Sequence, residues 1–253
     1  MTPLVDTHAH LSDINEADKA VSRARSAGVE AIIAVSANLS TSVKTLEVCG
    51  RFSSYSYPAL GLHPTEIGPD FMDVLLYVEA NVDLCVAIGE IGLDFWRRKG
   101  EPSIPEAERR TQIHVYTRQL ELANRRGKPV IIHGRGAWKA SCECAVSTGT
   151  KHAIFHWFTG TPDELRLVLD EGYFVSATPA VEYSRAHRLA ISDTPLENLV
   201  LETDAPVPYR GRASEPADVQ RTMESVAALK AIRPEEVASA TTENARRFFG
   251  LDL

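Results

Sequence analysis

Short apolar runs alternate with longer segments of helical periodicity along the whole chain. LVDTHAH (4–10) reads as a strand and is followed by a helical pattern over Glu16–Ala27, with Asn15 as its cap and Gly28 as its stop. AIIAVS (31–36) reads as a buried strand and Ser40–Phe52 as a helix. SYPALGLHP (56–64) carries the third strand, and Asp70–Asn81 the next helix. LCVAIGEIGLD (84–94) precedes a long helix over Pro105–Arg126, with proline at its tolerated first position and Gly127 closing it. PVIIH, HAIFHWF, GYFVSA and NLVLETDAP supply four more strands, separated by helices over Gly136–Ser147, Pro162–Glu171 and Val181–Ile191. Two helices finish the chain, Pro216–Lys230 and Pro234–Phe249.

Runs such as AIIAV and PVIIH, apolar without alternation, suit strands buried on both faces, as in a parallel sheet. Strict strand–helix alternation argues an α/β fold. Eight units in 253 residues argue a closed (β/α)8 TIM barrel over an open sheet, and no GxGxxG follows the first strand. Without a linker, repeat or low-complexity stretch, residues 1–253 read as a single domain.

The polar residues change the picture. Nearly every apolar run ends in a side chain able to bind a metal: His8 and His10 on the first, His63 on the third, Glu90 on the fourth, His133 on the fifth, His156 on the sixth, and Glu202-Thr203-Asp204 on the eighth. In a barrel these ends share one face, where active sites are assembled. Strands distant in sequence would thus deliver six nitrogen and oxygen ligands to one mouth.

Composition narrows the class. The net charge of −7 excludes a generic polyanion binder, so any nucleic-acid contact has to be local. Cys49, Cys85, Cys142 and Cys144 form no CxxC pair or disulfide framework, which fits a reducing cytosol. No apolar run is long enough for a membrane span and no leader precedes Leu4, so a soluble cytoplasmic protein is expected. His114 and His187 within helices, His152 at a strand start, and the helical Cys142-Glu143-Cys144 read as structural, while Arg246-Arg247 reads as a solvated helix end.

DTHAH, GLHP, GEIGLD, VIIHGR, FHWFTG and ETDAP, in this order, resemble the TatD family of metal-dependent deoxyribonucleases, as does the closing stretch from EPADV to TTENARRFFGL. The resemblance covers nearly the whole chain. It implies an amidohydrolase-type barrel with a two-metal site: His8, His10 and Asp204 on one ion, His133 and His156 on the other, and Glu90 bridging them. Departures fall at Gly136, where the family often has an acid, at Phe95-Trp96, where tyrosines are common, and at Ser214, where asparagine is common. They concern the mouth, and so substrate preference.

The residue types suit such chemistry. Two cations roughly 3.5–4 Å apart clamp a phosphate and generate hydroxide near neutral pH. Asp204 and Glu90 are the expected catalytic carboxylates, Asp204 taking the water's proton. Asp6 and Glu202 are expected to fix imidazole tautomers. Four imidazoles suit zinc, manganese, cobalt or nickel, whereas the family is usually described as magnesium-dependent; Mg, Mn and Zn are all carried forward as the two divalent ions. His63, Arg135, Trp96, Arg97 and Arg212 are the expected substrate-binding residues. Asp94-Phe95-Trp96-Arg97-Arg98-Lys99, Trp157-Phe158 and Tyr209-Arg210 place rings and cations at the same face. This is single-strand logic, bases on rings and phosphates on arginines. The expected partner is DNA, as single strands or ends, and the expected activity exonucleolytic. The alternatives are a small-molecule amide or ester hydrolase on the same scaffold and a partner-dependent subunit of a larger assembly.

Overall fold

The apolar runs become eight short strands: β1 (Leu4–Ala9), β2 (Val29–Val35), β3 (Ser56–Leu60), β4 (Ala87–Gly92), β5 (Val130–His133), β6 (Ala153–Phe155), β7 (Phe174–Ala177) and β8 (Leu199–Leu201). The structure is a computed structural model that describes residues 2–97, 100 and 102–253. Each strand pairs in parallel with the next, in the order β1 to β8. Parallel neighbours require a crossover, supplied here by the helices α1 (Ala17–Ser26), α2 (Leu39–Arg51), α3 (Phe71–Asn81), α4 (Glu106–Arg126), α5 (Trp138–Ser147), α6 (Pro162–Asp170) and α7 (Arg185–Asp193). The helices α8 (Val219–Lys230) and α9 (Pro234–Phe249) follow β8. The sheet closes on itself beside β1: Ala9 bridges Ala205, the His10 N–H donates to Ala205 O at 2.7 Å, and the Asp204 N–H donates to His8 O at 2.9 Å. This is a (β/α)8 TIM barrel.

Two apolar layers follow from the pleat. Val5, Ala31, Ile33, Ala59, Ala87, Ile131, Ile154 and Val200 point inward and pack with Phe249 and Leu251. Leu4, Ile32, Leu60, Ile88, Ile132, Phe155, Val175 and Leu201 point outward against the helices. At the end where the strands begin, α9 is pinned by Asn244 Nδ2, which donates to Leu196 O and Leu199 O, and by Thr242 Oγ1, which donates to Pro3 O. The opposite end, where the strands finish, is left for the site.

Local differences from the sequence pattern have local causes. Helix α1 starts at Ala17 with Glu16 in the capping position, and Asn15 makes no cap. The helix expected over Val181–Ile191 is divided. A 3-10 turn over Pro179–Glu182 starts from Thr178, whose hydroxyl accepts from the Ala180 N–H, and Ser184 then caps α7 by accepting from the His187 N–H. A small hairpin, β9 (Pro208–Tyr209) and β10 (Arg212–Ala213), is too short to leave a periodic signature. Among the described residues, no helix is long and apolar enough to cross a membrane.

Candidate metal centre

Strand alternation explains half of the site. Ile131 and Ile154 face the barrel interior, so His133 and His156, two residues on, face it too at the mouth, as does Glu202 beyond Val200, whereas Asp204 lies past the end of β8 with a left-handed φ of +51°. His8 and Glu90 do not follow this rule. Leu4 and Ile88 point outward, and strict alternation would send both residues outward with them. A register irregularity between Asp6 and Ala9, and another between Ile88 and Ile91, re-aim the chain at these two points. Such irregularities redirect side chains beside active sites.

The result is two groups of donors on the two oxygens of Glu90. On Oε2 stand His8 Nε2 at 3.3 Å and His10 Nε2 at 3.5 Å. Those nitrogens lie 3.4 Å apart, and Asp204 Oδ1 is 3.5 and 3.4 Å from them. Four ligands roughly 2.0–2.2 Å from a tetrahedral ion stand roughly 3.3–3.6 Å from one another. The five separations above all fall in that range, so the residues present fit a divalent cation. On Oε1 stand His133 Nδ1 and His156 Nε2, both at 2.8 Å, and His63 Nε2 at 3.4 Å. His63, Glu90 and His133 form a further cluster with metal-ligand spacing.

Electrostatics agree. Burial works to raise the Glu90 carboxyl, but His156, His63, His8 and a hydrogen bond with His10 hold it well below the carboxylate range. Burial likewise opposes ionisation of Asp204, and His10, His8 and His156 overcome it. Burial would depress the His10 imidazole; its hydrogen bonds with Asp204 and Glu90 push it up to about 10 instead. His133 and His156 are raised in the same way against burial, by Asp94 with Glu90 and by Glu90 with Glu202. Two buried carboxylates thus demand positive charge at their centre, the charge a cation supplies.

A second layer of acceptors orients the rings. Glu202 Oε1 takes His156 Nδ1 at 3.2 Å, and Asp94 Oδ2 takes His133 Nε2 at 3.2 Å. His63 Nδ1 accepts from the Thr65 N–H at 3.2 Å, which leaves the proton on Nε2. Glu202 behaves as expected from the sequence. Asp6 does not: its carboxylate accepts from Thr203 N, Thr203 Oγ1 and His8 N, and touches no imidazole. It pins the end of β8 to β1. Asp94 is the ring-orienting residue that the sequence reading passed over. Its place at the end of GEIGLD, four residues past Glu90, was the available signal.

A model of the family described as "TatD related DNase" matches residues 5–250. The chain belongs to the TatD family of metal-dependent hydrolases. This TatD chain is 31% identical to the human protein named "Deoxyribonuclease TATDN3", over 97% of its own length and 94% of the relative's. It is 33% identical to a Mycobacterium tuberculosis protein named "Uncharacterized metal-dependent hydrolase TatD", over 98% of both chains. Among solved structures, the TatD homologue YJJV of Escherichia coli K12 superposes with a TM-score of 0.86 at 26% identity, again over 98% of both chains.

The mouth of the TatD chain is a cavity of about 580 Å³ lined by His10, His63, Glu90, His133, His156 and Asp204, and by Arg135, Trp138, Trp157 and Tyr183. Arg135 is the one arginine or lysine lining it among the described residues. Trp96 lies beneath that guanidinium, 3.7 Å from ring centroid to Cζ. Gly136 makes this stacking possible: its φ is +70°, and a Cβ there would stand 2.8 Å from Trp96 N. The departure at 136 is therefore steric. Arg97 and Arg212 are not brought to the cavity, because they pair with Glu108 and Asp218, each at 3.0 Å. Arg98 and Lys99 lie outside the described residues. His187 is a buried structural residue, with Nδ1 donating to Phe158 O at 2.8 Å and Nε2 accepting from Thr178 N at 3.1 Å. All four cysteines are free.

Proposed function

We propose that this chain hydrolyses phosphodiester bonds of DNA, at single-stranded segments or ends, with two divalent cations. The observation that carries the reading is the division of Glu90: one oxygen faces His8 and His10, the other His133 and His156, inside a cavity that also presents Arg135. His8, His10 and Asp204 would hold one ion and His133 and His156 the second, with Glu90 shared. Two ions so held supply a positive field that polarises a phosphate and acidifies a water. The rest falls to the protein. Asp204, kept ionised at neutral pH and lining the cavity, is the proton acceptor. His63 offers its Nε2–H to a phosphate oxygen, and Arg135 anchors a phosphate by charge-assisted hydrogen bonds. The relatives whose names include deoxyribonuclease support the substrate.

The test uses chelator-stripped protein and end-labelled single-stranded and duplex oligonucleotides, with magnesium, manganese or zinc restored in turn. Laddering from one end that returns with metal and is absent in Asp204→Asn is the expected result. No cleavage with any metal, in protein that binds its ions, would overturn the DNA reading in favour of a small-molecule substrate.

A further inference from the structure

The residue after His156 is in an unusual conformation. By alternation from Ile154 and His156, Trp157 should point outward to the helix layer. Its φ of +42° lies instead in the left-handed region, which a bulky L-residue adopts at a cost. Two fully buried acceptors hold it there: the Trp157 N–H donates to Ser176 Oγ at 2.9 Å and to Glu202 Oε1 at 3.1 Å. Strain of this kind persists only where the surroundings over-determine it, and it concentrates at functional sites. Its effect here is to bring the indole into the lining of the cavity.

The ring is also backed. Tyr209 lies against it at 5.4 Å between centroids with a 44° tilt. Tyr209 is itself buried, and its hydroxyl donates to Thr203 O at 3.0 Å. Trp157 is half-buried, so a supported indole remains partly open to a cavity that also presents carboxylates, imidazoles and Arg135, with Trp138 and Tyr183 as further rings in its wall. A flat π surface next in sequence to His156, a ligand of the proposed phosphate-binding metal centre, matches a ligand that carries a flat ring on the same unit as a phosphate. That ligand is a nucleotide.

We propose that Trp157 is a specificity-determining residue on which a nucleobase of the substrate stacks, so that the site favours base-bearing over base-free strands. The inference rests on the DNA reading above and adds what that reading does not require, a dependence on the base itself.

The experiment compares wild type with Trp157→Leu, which keeps apolar bulk without a π face, and Trp157→Phe, which restores one. Substrates are single-stranded 10-mers with a full set of bases or with an abasic residue at the 5′ or the 3′ end. Trp157→Leu should raise KM on the full strand roughly ten-fold or more with little change in kcat, and Trp157→Phe should recover most of the loss. On the strand abasic at the attacked end, wild type should already show the raised KM, and Trp157→Leu should add nothing. An equal penalty on full and abasic strands, or none on either, overturns the proposal. Should wild type cleave no oligonucleotide, the DNA reading fails by itself, and stacking is decided by fluorescence. In Trp96→Phe/Trp138→Phe protein, Trp157 is the only indole of the three. Quenching by deoxyadenosine monophosphate but not by deoxyribose 5-phosphate sustains the proposal, and no quenching by either overturns it.

Discussion

Glu90 shows how much one side chain can decide. It is 3% exposed and offers each oxygen to a different set of imidazoles, so its removal should disturb both ion positions together. Titration calorimetry of metal into Glu90→Ala is expected to show loss of both high-affinity sites, whereas Asp204→Asn keeps at least one. The same titration should release protons from wild type. His10 is raised to about 10, so near neutral pH its ring is protonated, and a cation has to displace that proton. Metal affinity should accordingly rise with pH up to about 10. Full retention of both ions in Glu90→Ala would refute the shared-carboxylate arrangement.

Among the elements, β5, β6 and β8 were legible from sequence and β1 and β4 were only half so. His133, His156 and Glu202 reach the mouth by plain alternation, which a pattern of apolar positions reveals, and Asp204 reaches it through a left-handed residue just past β8. His8 and Glu90 reach it through irregularities in strand pairing. Those depend on the partner strand, so the ends of the apolar runs located the two residues where strict alternation would have pointed them outward. The same limit hid the hairpin β9–β10, and it hid the pairing of Arg97 and Arg212 with carboxylates on neighbouring elements. Helix α7 carries a separate consequence. Burial holds its His187 at about 4, against 6.5 for a free imidazole. Between those values the unfolded chain binds more protons than the folded one. The neutral ring's contribution is therefore complete above pH 6.5 and is lost as pH falls towards 4, by up to about 3 kcal/mol. Urea unfolding of metal-free protein should show this slope in wild type and a much flatter one in His187→Gln.

At the scale of the molecule, charge and architecture pull apart. A net charge of −7 repels a polyanion at long range, so on the DNA reading proposed above capture of a strand would depend on the few groups at one rim. The barrel centre is filled by the inward apolar layer, and Phe249 and Leu251 stop its far end, held by a helix bonded to Pro3, just before β1, and to the first residue of β8. The fold is thus a cup and not a pipe. Whatever enters at the rim has no second way out; on the DNA substrate proposed above, a released nucleotide would leave against the next strand coming in. Added mononucleotide should therefore act as a competitive inhibitor, raising the apparent KM for an oligonucleotide while kcat holds, as initial rates would show. An enzyme of that activity and this shape would slow as its own products accumulate, with the brake built into the closed floor of the barrel rather than into any separate regulatory site.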